Sequence, residues 1–173
     1  MTESADDSNE DAAPELTLDY IRYVLAEDIR SEAGPGEATG VYNRSFIETF
    51  RANAGRMPGD LAHATWMLLT TTGAKSGKQR TVPLIYFERN GGRFIIASKG
   101  GALTHPAWFH NLRANPGVTA EFGHETVQAT ATELESDERD EFYAWAAEQN
   151  RTFAKYQART DRVIPVIRLD PVG

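Results

Sequence analysis

The spacing of apolar residues changes twice along this chain, and each change predicts a different kind of element. Residues 1–15 carry many acids and no aromatic or β-branched apolar residue, so they have little to bury and are expected to form a disordered acidic tail. Leu18, Ile21, Leu25 and Ile29 then recur at helical spacing, which predicts a helix over residues 16–29 with one apolar face. Gly34-Pro35-Gly36 breaks it. A second helical stretch over residues 43–53 ends at Gly55 and Pro58, so residues 16–60 read as an N-terminal helical extension. Its first helix could cap the domain, meet a partner subunit or touch a membrane. The acid-rich polar face makes the membrane the weakest of the three.

From Thr65 the period shortens. Thr65-Trp66-Met67-Leu68-Leu69-Thr70-Thr71 is a nearly continuous apolar run, which predicts a strand buried on both faces, and residues 73–77 form a turn. Two β-rich runs, residues 80–89 and 93–98, are joined at Asn90-Gly91-Gly92, a hairpin signal because these residues adopt positive φ readily. Thr104 or His105 is expected near the cap of a helix, with Pro106 in its first turn where a missing N–H costs nothing. Asn115-Pro116-Gly117 stops that helix. Residues 118–122 and 125–133 predict another hairpin, Ser136 is expected to cap a helix running to Gln149, and a further helical turn or two follows to Arg159. Residues 163–169 predict a last strand interrupted by Pro165, as suits an edge or a bulge. Residues 61–173 thus read as one mainly β domain with peripheral helices. About six antiparallel strands linked by hairpins imply a small barrel, and a doubly wound parallel sheet is excluded.

Composition changes this picture in one place. The chain has 173 residues, 40% hydrophobic and 25% charged, with no cysteine, so disulfide and thiolate chemistry are excluded. The acidic N-terminus is the opposite of a secretory signal, and no apolar run approaches the roughly 20 residues of a membrane span. A cytoplasmic location is the expectation, with peripheral contact at a membrane resting only on the 16–29 helix. The net charge of −7 argues against nucleic acid as a partner. Residues 73–113, however, hold Lys75, Lys78, Arg80, Arg89, Arg93, Lys99 and Arg113 against the single acid Glu88, a local charge of 7 − 1 = +6 in a chain that is otherwise −13. Surface clustering by chance would give the same count; an anionic ligand would give it a purpose.

Motifs that carry their own reactive groups are missing. His63, His105, His110 and His124 are scattered, so no metal site is expected, and neither a P-loop, a Gly-x-Ser-x-Gly elbow nor a Rossmann fingerprint is present. An enzyme built this way would take its reactive atoms from a bound cofactor. Three segments suit an anionic one. Residues 73–80 form a glycine-bracketed turn with hydroxyls, amides, two lysines and an arginine, although a solvated hairpin loop has the same composition. Ala97-Ser98-Lys99-Gly100-Gly101 leaves a strand with a hydroxyl, a cation and two glycines. Pro106-Ala107-Trp108-Phe109-His110-Asn111 starts a helix whose positive end favours negative charge, while the spacing of Trp108 and Phe109 favours core positions.

In order along the chain, Thr70-Thr71-Thr72-Gly73-x-Lys75-Ser76-Gly77-x-x-Arg80-x-x-Pro83-Leu84, Gly91-Gly92, Ala97-Ser98-Lys99-Gly100-Gly101, Pro106-x-Trp108-x-x-Asn111-Leu112-x-x-Asn115-Pro116 and Thr160-Asp161-Arg162-x-Ile164-Pro165 resemble the deazaflavin (coenzyme F420)-dependent nitroreductase and quinone reductase family, over roughly residues 66–171. The resemblance implies a split β-barrel of flavin-reductase-like type, an F420-dependent oxidoreductase and an actinobacterial origin. It implies that Ala74, Lys75, Ser76 and Arg80 bind the coenzyme's phosphate and glutamate tail. Thr81, Val82, Pro83, Leu84 and Ile85, with Ile96, Ala97, Ser98 and Lys99, would border the deazaflavin ring. Ala107, Trp108, Phe109, His110 and Asn111 would face its phosphate and linker.

Ser98 and Tyr156 are the expected catalytic hydroxyls, donating to an acceptor oxygen as it gains charge. The acceptor is expected to be a small electron-poor molecule such as a quinone, enone or nitroaromatic. Tyr156 is retained where the family places tyrosines, whereas Asn150, Phe153 and Ile85 replace others, which puts nitroaromatic reduction in doubt. Split barrels often pair, so a homodimer stays open. A flavin-mononucleotide-dependent reductase on the same barrel and a non-catalytic F420-storage protein are the alternatives. Arg89 and Arg93, flanking the hairpin turn, are expected to be merely solvated.

Overall fold

The computed structural model describes residues 37–173, with side-chain surroundings from residue 40, so the expected acidic tail and the 16–29 helix lie outside the described residues. Six antiparallel strands close into a barrel in the order β1-β2-β3-β6-β5-β4. They are β1 (Trp66–Thr72), β2 (Gln79–Arg89), β3 (Gly92–Ile96), β4 (Gly117–Glu121), β5 (Thr126–Glu133) and β6 (Val166–Pro171). Four helices surround them: α1 (Glu37–Ala52), α2 (Ala107–Ala114), α3 (Ser136–Gln149) and α4 (Arg151–Ala158).

Period-two alternation decides which side chains fill the barrel. Met67 and Leu69, Val118 and Ala120, Val127 and Ala129, and Ile167 and Leu169 all point inward, and α2 closes the cluster with Trp108, Phe109 and Leu112. The opposite face of β1 is buried as well. Leu68 meets Tyr42, Phe46, Phe50 of α1 and Leu61, which explains why the β1 run is apolar without alternation. α1 is locked further by backbone: Gly55 and Gly123 approach so closely that a Cβ on Gly55 would lie 2.7 Å from the Cα of Gly123. Arg51 adds an ion pair to Glu121 at 2.6 Å. On the outer face of β2 and β3, Ile85, Phe87, Phe94 and Ile96 pack beneath α3 and α4, against Phe142, Tyr143 and Phe153.

Some expected details differ. α1 begins at Glu37 rather than residue 43, because its first turn carries no apolar period to read. Pro106 is itself the residue before α2, with no side-chain cap from Thr104 or His105. Ser136 opens α3 at φ 46° and no side-chain cap bond precedes it. Pro165 lies ahead of the last strand, where its carbonyl accepts from Ala97 N at 2.9 Å. β6 then pairs with both β3 and β5, so it is neither bulged nor an edge. Placing both prolines at or beyond strand ends is what keeps the β6 ladder donors intact.

Candidate cofactor site

The β1–β2 turn is a fixed loop. Gly73 N donates to Lys78 O at 2.8 Å, Gly77 N to Gly73 O at 2.9 Å, and Lys78 N to Ser76 Oγ at 3.2 Å. Gly77 takes φ 68°, and a Cβ on Gly73 would fall 2.5 Å from Ser76 Oγ, so the turn needs glycine at both places. Asn111 ties it to α2: its Oδ1 accepts from Ala74 N at 3.0 Å and its Nδ2 donates to Thr71 Oγ1 at 3.2 Å. Both ends of the Asn111 amide are thereby engaged with protein groups, which makes it a brace for the turn. Ala74, Lys75, Ser76 and Arg80 are exposed around the braced loop.

Ion pairing divides the basic island into two sets. Arg89 pairs with Glu141 at 3.0 Å and lies 5.2 Å from the Trp145 ring. Arg93 bridges Glu88 and Glu125 and sits 3.9 Å over the Phe122 ring. Arg113 pairs with Glu133 at 3.3 Å. Those three cations are neutralised, so Arg89 and Arg93 are structural clasps, not merely solvated groups. Among the described residues, Lys75, Lys78, Arg80 and Lys99 have no carboxylate partner. Lys99 reaches only the Thr104 hydroxyl, at 3.3 Å. The fit to a phosphate and carboxylate ligand rests on those cations, of which Lys75, Lys78 and Arg80 are exposed and Lys99 is half-buried.

Alternation sorts the ring-bordering candidates. Val82 and Leu84 turn into the barrel core, as does the fully buried Ala97. Ile85 and Ile96 face outward beneath α4, in the same cluster as Phe153 and Tyr156. Thr81 and Pro83 share the outward parity with Ile85, and Thr81 exchanges a hydroxyl bond with Thr70 at 2.8 Å. Ser98 and Tyr156 come onto neighbouring segments. The loop of residues 98–101 runs so close to α4 that a Cβ on Gly101 would lie 2.5 Å from Tyr156 O. Ser98 is half-buried, and its hydroxyl has no protein partner among the described residues. Tyr156 is half-exposed, its ring edge-on to Phe153 at 5.6 Å.

Other candidates are placed apart. Trp108 and Phe109 are buried in the barrel plug, as their spacing favours, while Ala107 and His110 are exposed on α2. Phe153 is 5% exposed within the outer cluster and Asn150 spends its Oδ1 on the α4 cap, accepting from Thr152 N at 3.1 Å. Of Asn150, Phe153 and Tyr156, Tyr156 is the one that lies within α4 and is left partly exposed. Tyr143, pushed up to about 12 chiefly by burial, donates to Phe153 O at 2.6 Å and joins α3 to α4. A separate cleft of about 490 Å³ is lined by His105, Arg113, Arg139, Val163 and Pro165 among others, and two of its arginines are paired with Glu133 and Asp140. Sequence reasoning gave Arg162 no role, yet its guanidinium holds the 97–102 loop. Only its place in the Thr160-Asp161-Arg162 motif signalled it.

Residues 42–171 match the family described as F420H(2)-dependent quinone reductase. An F420H(2)-dependent quinone reductase of Mycobacterium tuberculosis is 40% identical over 106 residues, which cover 60% of this chain and 71% of that relative. Among solved structures, an F420-H2 dependent reductase, FDR-A, is 46% identical with a TM-score of 0.56, covering 61% of this chain and 94% of its own. Another, described as a domain-swapped dimer, is 41% identical with a TM-score of 0.58 and covers 73% and 93% respectively.

Proposed function

Because this chain belongs to the F420H(2)-dependent quinone reductase family, we propose that it reduces a quinone with coenzyme F420, held at the β1–β2 turn and the 98–101 loop. The observation that carries the reading is the set of exposed cations without carboxylate partners, Lys75, Lys78 and Arg80, on and beside a turn that α2 braces, with the half-buried Lys99 equally unpaired on the 98–101 loop. When bound in its reduced form, the coenzyme supplies a hydride, and a proton from water completes the hydroquinone. The chain's own contribution is binding, orientation and charge. Lys75 and Arg80 hold anionic oxygens by charge-assisted hydrogen bonds, in which an arginine grips bidentately. Ser98 offers an unspent hydroxyl to the acceptor oxygen as negative charge develops, and Tyr156 walls the same face from α4. Pro83, half-buried on the outer side of β2, gives an apolar surface for the ring.

Fluorescence titration with oxidised F420 tests the tail assignment. Lys75→Ala and Arg80→Ala should each weaken binding about tenfold or more, the loss of one charge-assisted bond. Ser98→Ala should leave that affinity within about twofold and lower kcat for a benzoquinone acceptor roughly tenfold or more. Unchanged affinity in both charge variants rejects the site. Tight F420 binding without turnover of any quinone would convert the reading to coenzyme storage, and preference for flavin mononucleotide would convert it to a flavin enzyme. The similarity to a chain described as a domain-swapped dimer extends the reading to a homodimer; light scattering that returns a monomer mass rejects that extension.

A further inference from the structure

Lys99 sits in the left-handed region at φ 45°, followed by Gly100 at 62° and Gly101 at 81°. Three such residues in succession do not hold themselves, and a lysine there is strained unless its surroundings fix it. Two arginines supply those surroundings: Arg159 Nη1 donates to Gly100 O at 3.2 Å, and Arg162 makes the remaining bonds. Arg162 Nε donates to Ala102 O at 2.7 Å, Nη2 to Ser98 O at 2.7 Å, and Nη1 to Ala97 O at 3.3 Å. Nη1 also lies 3.0 Å from His105 Nδ1. The fork therefore spans the loop from its first carbonyl to its last, with Ser98 and Lys99 between. No carboxylate pairs with Arg162 among the described residues, and its donors go to this loop and to His105.

Arg162 is itself anchored. Gln157 Nε2 donates to Arg162 O at 2.8 Å, and Arg162 N donates to Thr160 Oγ1 at 3.3 Å. Arg139 Nε reaches Ile164 O at 2.9 Å and Arg139 Nη2 reaches Gln157 Oε1 at 2.8 Å. The arm that grips the loop is thus fixed to α3 and α4, and the grip registers the loop against the helix that carries Tyr156.

We propose that Arg162 is a positioning residue that sets the 98–101 loop in the conformation that presents Ser98 and Lys99, although it does not itself touch coenzyme or acceptor. The inference rests on the functional reading above for what the loop presents, but the loop geometry stands without it. A lysine cannot replace the fork, because a single ammonium cannot donate to carbonyls on both ends of the loop in one planar arrangement.

The test compares the full chain with Arg162→Lys and Arg162→Met. Hydrogen exchange without ligand reads the loop directly. Gly101 N donates to Ser98 O and Ala102 N to Lys99 O, so both amides should exchange about tenfold faster or more in either variant, with barrel amides unchanged. In F420 titrations both variants should lose affinity about tenfold or more, with Arg162→Lys rescuing little, while the KM for benzoquinone stays within about twofold. Wild-type exchange at Gly101 and Ala102, or wild-type F420 affinity with faster exchange, overturns the proposal. Collapse of the whole fold in both variants also overturns it, since Arg162 would then be a general stability residue. Failure of the wild-type chain to bind F420 while the exchange result holds would reject the functional reading and leave the loop-setting role in place.

Discussion

At the scale of single residues, His105 shows how a neutral side chain can be required by its neighbour. Its Nδ1 lies 3.0 Å from Arg162 Nη1, which always carries its protons, so Nδ1 must be the accepting nitrogen and the ring must be neutral with its proton on Nε2. Burial first, then the Arg162 charge, then His110 and Arg113, hold His105 below its ordinary value of 6.5. The facing cleft mixes Arg139 and Arg113 with Glu133, Glu135 and Asp140, and it does not reverse that direction. In the unfolded chain His105 takes up a proton as the pH falls through about 6.5, whereas the folded ring resists it until a lower pH. Stability is therefore full above that value and declines below it. Thermal denaturation between pH 7.5 and 5 should show this slope in the wild type and a flatter one in His105→Gln, which keeps an acceptor but cannot titrate. Equal slopes would mean that the imidazole is not the group responsible.

At the scale of elements, the close approach of the 98–101 loop to α4 is the junction on which the proposed site depends, and glycine is what permits it. Gly101→Ala must place a Cβ 2.5 Å from Tyr156 O at φ 81°, and a backbone carbonyl within a capped helix cannot move aside cheaply. Gly91→Ala serves as the reference, since its φ of 77° carries the same left-handed strain with nothing within 4 Å. Both should lose about 1–2 kcal/mol from the conformation alone, and Gly101→Ala should lose a further 1 kcal/mol or more in denaturant unfolding. Equal losses would show that α4 yields without cost. This junction also lies beyond what a single sequence shows. The Asn90-Gly91-Gly92 hairpin and the β1 run were legible because their signals are local: turn chemistry in one case, apolar continuity in the other. That Gly101 faces Tyr156, or that Asn111 braces Ala74, depends on contacts between segments 55 and 37 positions apart, for which one sequence carries no period. Pro165 escapes a local reading for a related reason. Inside an apolar run it marks a defect, and only the pairing of β6 on both sides shows that the strand starts after it.

At the scale of the molecule, two electrostatic effects oppose each other, and their ranges decide which governs binding. The whole chain carries −7 and repels an anionic coenzyme. The cations around the β1–β2 turn attract it, and the sequence count of +6 overstated them, since Arg89, Arg93 and Arg113 are neutralised by Glu141, Glu88, Glu125 and Glu133. Repulsion between charges farther apart than the Debye length, about 10 Å in 0.1 M salt, is largely screened at that ionic strength. The attraction acts at contact, where a pair of unit charges about 4 Å apart is worth roughly 1 kcal/mol in water, and it yields only at higher ionic strength. Between about 0.1 and 1 M NaCl the dissociation constant for oxidised F420 should therefore rise several-fold in the wild type, because attraction is the component still left to screen. The Lys75→Ala/Arg80→Ala double variant should bind more weakly throughout and show a flatter dependence. Arg93→Ala should keep the wild-type slope, because its charge is already spent on two glutamates and the Phe122 ring. A salt-independent wild-type constant, or a steeper slope in the double variant, would place the coenzyme's anionic groups away from the β1–β2 turn.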